Sequence, residues 1–183
     1  MRIVVISCSL HRQSRSYVLA RNMVTNFAKL GVTAQLYDLR DYELPFCNAG
    51  NSSEHPHTIE MKQVIAEAQT VLLAVPIYTF DVNAVAKNLL ELTGRAWNNK
   101  LVGFLCAAGG RSSYMSVMNI SNDLMLDYRC LIIPRFVYAV GEDFSEDRLP
   151  TMSVSSPAII ERMEQLARVT VELTRALEGI QIT

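Results

Sequence analysis

The fold is decided by the stretch Thr70-Val71-Leu72-Leu73-Ala74-Val75-Pro76. A strand that is apolar on both faces belongs in the middle of a sheet that is covered on both sides. Similar apolar runs at Arg2–Ile6 and Leu101–Ala107 predict two further strands, and apolar residues recur at helical spacing between the runs. Strands that alternate with helices indicate a parallel sheet wrapped by helices on both faces.

Two further strands belong at the edges of this sheet. Val32–Leu36 alternates apolar and polar residues, as a strand with one wetter face does, and Cys130–Val140 contains Pro134, which central strands avoid. We therefore predict an α/β, flavodoxin-like three-layer sandwich whose five-stranded parallel sheet has the strand order 2-1-3-4-5. No repeat or linker interrupts residues 1–183, so a single domain is expected.

Local signals predict several element boundaries. Pro76 is expected to end the central strand, and residues 77–82 to form a loop. Ser112 or Ser113 is suited to cap a helix that runs to about Tyr128. Pro157 opens the last helix, with Ile160 on its inner face.

The composition restricts the class of partner. The chain has 17 Lys and Arg residues against 18 Asp and Glu, and its formal net charge of −1 provides no broad attraction for nucleic acid or an anionic membrane. No apolar run approaches the roughly 18 residues of a membrane helix. The four cysteines contain no C-x-x-C pair and are interpreted as reduced thiols. A cytoplasmic protein is expected.

A ligand of such a sheet is expected at the carboxyl ends of strands 1, 3 and 4, and the loops that follow these strands are the candidates for its site. The first of these loops is rich in hydroxyl and basic groups. It runs from Ser7 to Ser16 without a glycine, which excludes both the G-x-G-x-x-G fingerprint and the P-loop. A helix N-terminus preceded by hydroxyls and guanidinium groups suits a phosphate dianion. The alternative is a capped helix with a solvated basic turn. The candidate phosphate ligands are Ser9, His11, Arg12, Ser14, Arg15 and Ser16.

The second and third loops at this edge have a different chemistry. Residues 76–80, which are Pro76, Ile77, Tyr78, Thr79 and Phe80, are apolar and aromatic, which suits a flat heterocycle. Alternatively, Tyr78 and Phe80 pack at a subunit interface or under a loop. In the third loop, the glycines of Ala108-Gly109-Gly110-Arg111 allow backbone N–H groups to approach a ligand, and the arginine can neutralise its charge. The alternative is an exposed arginine on a Gly-Gly turn.

Taken in order, these motifs resemble the NAD(P)H-dependent FMN reductase family, which includes azoreductases and chromate or quinone reductases. The matching features, over about residues 2–140, are Ser9 with Ser14-Arg15-Ser16, Pro76-x-Tyr78, Lys87-Asn88 and Ala108-Gly109-Gly110. The sequence departs from the family pattern where Cys8 replaces glycine, His11 replaces arginine, Ile77 replaces glutamate, and Ala86 with Glu91 replaces leucine and aspartate.

The resemblance implies an FMN site with the phosphate on Ser9, Ser14, Arg15 and Ser16. The backbone from Pro76 to Phe80 would line the isoalloxazine, and Ala108 to Arg111 would meet its pyrimidine side. NAD(P)H would be the co-substrate, and a free flavin, quinone, azo compound or metal oxyanion the acceptor. Because the cofactor supplies the redox chemistry, neither a catalytic side chain nor a metal site is expected.

The resemblance also implies a homodimer or homotetramer. Met115, Met118 and Met125 would then pack across subunits, or form an ordinary core stripe.

Two other functions share the predicted topology. A flavodoxin-type electron carrier binds FMN without NAD(P)H turnover of its own, but such carriers are strongly acidic and have an uncharged phosphate loop. This chain is nearly neutral and carries Arg12 and Arg15 in that loop. A signalling receiver domain needs an acidic pair, an aspartate and a lysine at three strand ends, and Ser7-Cys8, Val75-Pro76 and Ala139-Val140 provide none of them.

Overall fold

The computed structural model describes residues 1–180, in which a central sheet lies between two layers of helices. The strands are β1 (Ile3–Ser7), β2 (Ala34–Asp38), β3 (Thr70–Tyr78), β4 (Asp81–Val82), β5 (Leu101–Ala107), β6 (Leu131–Ile132) and β7 (Val137–Ala139). A separate antiparallel hairpin consists of β8 (Phe144–Ser145) and β9 (Ser153–Val154). The helices are α1 (Arg15–Lys29), α2 (Pro56–Glu67), α3 (Ala84–Thr93), α4 (Met118–Tyr128) and α5 (Pro157–Ala176).

The main strands are parallel and follow the order β2-β1-β3-β5-β6. Val5 of β1 pairs with Leu36 on one side and with Leu72 on the other, which sets the register of the central strands. The strand order reverses between β1 and β3, and ligands of such sheets bind at the carboxyl ends of these strands. The predicted α/β class with a mainly parallel sheet is confirmed.

The predicted number of strands is wrong, because the sheet has seven strands and is mixed. Pro76 pairs with Ala107 instead of ending β3, which continues to Tyr78 and folds back antiparallel as β4. Residues 77–82 are therefore a hairpin and not a loop. The predicted fifth strand consists of two short pieces, β6 and β7, on either side of Pro134, since proline cannot donate to a strand ladder.

Two helix predictions also need correction. Helix α4 begins at Met118, because residues 111–113 form a short 3-10 turn and the Ser113 hydroxyl is hydrogen-bonded to that of Tyr138 instead of capping a helix. Pro157 opens α5 as predicted, but Ile160 is 42% exposed and Ile159 faces the core instead.

The three methionines near α4 do not form a core stripe. Met115, Met118 and Met125 are 61%, 43% and 38% exposed, because the buried face of α4 is taken by Ile120 and Leu124.

The core has one half on each side of the sheet. Trp97 and Phe104 belong to the half under α2, α3 and α4, while Phe27 and Leu166 belong to the half under α1 and α5. Within residues 1–180, no helix combines the length and the apolar character needed to span a membrane.

Candidate functional site

A cleft of about 160 Å³ lies at the carboxyl ends of β1, β3 and β5, where the three candidate loops meet. It is lined by Ser9, Ser14, Arg15, Ser16, Pro76, Ile77, Tyr78, Ala107, Ala108, Gly109 and Arg148. A larger cavity of about 260 Å³, with Gln69 and Lys100 in its wall, lies at the opposite edge of the sheet. The smaller cleft is the candidate functional site, because parallel α/β sheets bind ligands at the carboxyl ends of their strands.

Three buried serines surround the N-terminus of α1. Ser14 is the N-cap, since its Oγ accepts a hydrogen bond from the backbone N–H of Tyr17 at 3.1 Å, and it is also hydrogen-bonded to the Oγ of Ser16 at 2.9 Å. The Oγ of Ser9 accepts from the backbone N–H of His11 at 3.3 Å. The capped helix proposed as the alternative is thus present, and its hydroxyls also line the cleft. These hydroxyls and the positive end of the helix dipole are suited to an anion.

Two arginines from other parts of the chain hold the first loop by its carbonyl groups. Arg40 Nη1 donates to the carbonyl oxygen of Arg12 at 2.9 Å, and Arg148 Nη1 donates to that of Gln13 at 2.8 Å. The side chains of His11 and Arg12 are exposed and do not line the cleft, and His11 Nδ1 accepts from the backbone N–H of Gln13.

Arg15 forms an ion pair with Asp147, a residue 132 positions away in the sequence. Arg15 Nε donates to Asp147 Oδ1 at 2.7 Å, Nη2 donates to Oδ2, and Nη1 donates to the carbonyl oxygen of Ala108 at 3.2 Å. This hydrogen bonding raises the pKa of Arg15 and lowers the pKa of Asp147 below its ordinary value. Arg15 thus joins the first and third loops to the β8–β9 hairpin.

The second loop contains a strained turn. Ile77 pairs with Val82 and Tyr78 with Asp81, so Thr79 and Phe80 are the two loop residues of a β-hairpin. Both have left-handed backbone angles, with φ of 51° and 60°. Glycine and asparagine favour such positions, and a β-branched or bulky residue there is unusual. The side chains of Tyr78 and Phe80 are 56% and 67% exposed.

Asn83 connects the first two loops, although the sequence reasoning did not identify it. Its side-chain Nδ2 donates to the carbonyl oxygen of Cys8 at 2.7 Å, and its backbone N–H donates to that of Pro76 at 3.2 Å. Asn83 is 5% exposed. Its position directly before a predicted helix is the only signal that marked it in the sequence, and such a position is equally typical of an ordinary cap.

The third loop is held from the neighbouring strand. The Tyr138 hydroxyl donates to the carbonyl oxygen of Gly110 at 2.6 Å, and the backbone N–H of Ala108 donates to that of Ala139 at 2.8 Å. Arg111 lies outside the cleft and forms an exposed ion pair with Glu142. A Cβ atom built on Gly109 meets no atom within 4 Å, which leaves open space beside the cleft.

These residues fit a ligand with a phosphate at one end and a flat ring at the other. The serine hydroxyls and the start of α1 form an end that is suited to an anion, while Pro76, Ile77 and Tyr78 with Gly109 form an apolar, open end. Nine residues predicted from the sequence line this cleft together: Ser9, Ser14, Arg15, Ser16, Pro76, Ile77, Tyr78, Ala108 and Gly109. His11, Arg12, Thr79, Phe80, Gly110 and Arg111 do not line it.

Cys8 lies within the first loop, and its side chain is fully buried. Burial raises its pKa well above the ordinary value of a thiol. Because the thiolate is the reactive form, Cys8 is suited to packing and not to redox or nucleophilic chemistry.

Comparison with known proteins identifies the family. Residues 1–145 match the sequence profile of the family described as NADPH-dependent FMN reductase. An NAD(P)H-dependent FAD/FMN reductase of Geobacillus thermodenitrificans is 28% identical over 150 residues, which is 81% of this chain and 79% of that protein.

Two solved structures share the fold at low sequence identity. The flavoenzyme FerB, an NAD(P)H:(acceptor) oxidoreductase from Paracoccus denitrificans, has a TM-score of 0.75 at 17% identity, covering 96% of this chain and 97% of FerB. RosB, solved with 8-demethyl-8-formylriboflavin-5′-phosphate, has a TM-score of 0.77 at 16% identity, covering 100% of this chain and 82% of RosB.

Proposed function

Because the chain belongs to the NADPH-dependent FMN reductase family and is an oxidoreductase, we propose that it binds FMN in the cleft at the carboxyl ends of β1, β3 and β5. The observation that carries this assignment is the meeting of Ser9, Ser14 and Ser16 with the Pro76–Tyr78 segment in one cleft. Hydroxyl donors and a ring-sized apolar wall at a switch point are what a flavin nucleotide requires.

In this proposal the first loop binds the phosphate. Ser9 and Ser16 donate hydroxyl hydrogen bonds to it, and the free N–H groups of the first turn of α1 add to them. Arg15, held by Asp147 and Ala108, contributes positive potential from the side of the cleft. His11 and Arg12 lie at the exposed side of the same loop and are proposed as secondary ligands.

The other two loops bind and orient the ring. The backbone from Pro76 to Phe80 lies along one side, and the segment from Ala108 to Arg111 meets the polar edge of the heterocycle. When bound, FMN supplies the redox chemistry by accepting a hydride from NAD(P)H and passing electrons to an acceptor. The open space beside Gly109 gives a nicotinamide or an acceptor access to the ring. We propose that one flavin site, in a single domain, serves donor and acceptor in turn.

The proposed acceptor is a small molecule: a free flavin, a quinone, an azo compound or a metal oxyanion. The open ring end of the cleft supports this class, because it presents the apolar and aromatic groups Pro76, Ile77 and Tyr78 beside the open space at Gly109. The four free cysteines support a reducing compartment, and we propose the cytoplasm.

We propose further that the enzyme is a homodimer or homotetramer whose interface completes the ring end. The cleft of about 160 Å³ is smaller than the roughly 300–1,000 Å³ typical of small-molecule sites. Tyr78, Phe80 and Met115 are large, apolar and exposed; Tyr78 lines the cleft, Phe80 lies in the same hairpin, and Met115 directly follows the third loop in the sequence. A second copy that covers these side chains would bury them and close the site.

An absorption spectrum of the purified protein, with NADPH titrated in, tests the proposed function. A flavin spectrum that NADPH bleaches is expected, together with steady-state NAD(P)H oxidation when FMN or a quinone is added. Ser16→Ala should weaken FMN binding, whereas the exposed Ser53→Ala should not. Tight FMN binding without NAD(P)H turnover would favour the electron carrier, and failure to take up FMN would refute the proposal.

A further inference from the structure

Arg148 lines the cleft, although it lies in a part of the chain where the sequence predicted no site residue. It lies in the turn between β8 and β9 and lines the cleft together with Ser9, Ser14 and Ser16. Its Nη1 donates to the carbonyl oxygen of Gln13 at 2.8 Å, at the edge of the first loop. The residue also lies beyond residues 1–145, which match the family profile.

The turn that carries Arg148 is held against the cleft by its neighbour. Asp147 accepts two hydrogen bonds from the Arg15 guanidinium. Gly141 leaves the room for this pair, since a Cβ atom there would lie 2.6 Å from Arg15 Nη2. Arg148 itself has a φ of 66°, a left-handed backbone angle that an L-residue with a side chain adopts only at a cost. The contact between Asp147 and Arg15, and not the backbone preference of the turn residues, therefore positions the turn.

The distribution of charge distinguishes Arg148 from the other arginines near the cleft. Arg15 is paired with Asp147, and Arg111 is paired with Glu142. Within residues 1–180, Arg148 has no carboxylate within the 4.0 Å of an ion pair. A phosphate monoester carries a charge of about −1.5 to −2 at neutral pH. Among residues 1–180, Arg148 is thus a cleft-lining guanidinium without a direct ion pair, although the charge of the adjacent Asp147, which is paired with Arg15, also acts on it.

We propose that Arg148 is a ligand of the FMN phosphate, supplied by the β8–β9 hairpin. This inference rests on the proposed function, because it assumes that FMN occupies the cleft. Arg148 lines the cleft itself, whereas the proposed secondary ligand His11 lies at the exposed side of the first loop and accepts a hydrogen bond from the backbone N–H of Gln13. The hairpin thereby forms part of the binding site, and not only a connection from β7 to α5.

Comparison of FMN with riboflavin, which lacks the phosphate, tests this role. Arg148→Ala should raise the Kd of FMN about 10- to 100-fold, the range for loss of a charged hydrogen bond, and leave the Kd of riboflavin nearly unchanged. Arg148→Lys keeps the positive charge but not the planar guanidinium group, and it should raise the Kd of FMN by a smaller factor. Arg135→Ala removes an exposed arginine outside the cleft and should alter neither Kd.

The outcomes separate this inference from the proposed function. An equal effect of Arg148→Ala on both flavins, or no effect on either, would overturn the role of Arg148 while leaving an FMN enzyme. A wild-type protein that binds neither flavin would overturn the proposed function and this inference with it. Circular dichroism checks the fold of each variant, and Arg148→Gln provides a second neutral variant if Arg148→Ala unfolds.

Discussion

The ion pair between Arg15 and Asp147 shows how single residues shape this site. Their side chains are only 15% and 31% exposed, so the pair is better shielded from water than an ordinary surface pair. Arg15 also donates to the backbone of Ala108. One guanidinium therefore orders three segments that are distant in the sequence, and its loss should affect stability as well as binding.

The pH dependence of stability tests this pair. Pairing lowers the folded-state pKa of Asp147 below its unfolded value of about 3.9, so the pair stabilises the fold above that pH and loses this contribution as the pH falls through the folded-state pKa. Asp147→Asn should lower the free energy of unfolding by roughly 1 kcal/mol at pH 7 in urea titrations. The difference from wild type should shrink below about pH 4.

A matched carboxylate variant serves as the control. Glu146→Gln removes the neighbouring exposed acid, which forms no ion pair within residues 1–180. It should leave the unfolding curve unchanged at both pH values. A pH-independent loss in Asp147→Asn would show that packing, and not charge, holds the turn.

At the scale of elements, the β3–β4 hairpin contains the most unusual backbone near the cleft. Thr79 and Phe80 occupy two consecutive left-handed positions in a two-residue turn. Such turns match the twist of the flanking strands and favour Asn-Gly. Each strained residue costs on the order of 1 kcal/mol or more, and such strain is retained where the site has a use for the side chain.

Replacement of the turn by its preferred residues should therefore stabilise the protein. The double variant Thr79→Asn with Phe80→Gly should raise the free energy of unfolding by roughly 1–2 kcal/mol in urea denaturation. Phe80→Ala keeps a non-glycine residue at a left-handed position and should not raise the free energy of unfolding by a comparable amount. A double variant that is less stable than wild type would mean that the exposed phenyl ring contributes more to the fold than its exposure suggests.

At the scale of the molecule, several exposed apolar side chains lie at α4 and the β3–β4 hairpin. Met115 and Met118 precede or begin α4, and Tyr78 and Phe80 lie on the β3–β4 hairpin, which is connected to α4 by a hydrogen bond from Asn119 to Asp81 at 2.8 Å. Contiguous exposed apolar groups on a soluble domain mark interaction surfaces. This surface is adjacent to the ring end of the proposed flavin site.

A charge introduced on this surface should dissociate the proposed oligomer. Met115→Asp is expected to shift the protein toward monomer in sedimentation velocity and to weaken FMN binding, because the second copy would no longer cover the ring end. Ile160→Asp places the same charge at an exposed apolar residue of α5, on the other layer of helices, and should change neither property. Wild-type protein that sediments as a monomer would contradict the proposed interface.

The sequence alone determined the alternation of strands and helices, because the apolar run at residues 70–75 and the period of each helix are local patterns. The sequence also predicted nine of the residues that line the cleft at one edge of the sheet, since the carboxyl ends of parallel strands meet there. Only the tertiary structure decided the hairpin at Thr79 and the split of the last strand at Pro134. It alone also places Arg148 in the cleft and Asp147 against Arg15. Arg15 and Asp147 are 132 residues apart, and no periodicity encodes a contact that forms only when the folded sheet brings distant loops together.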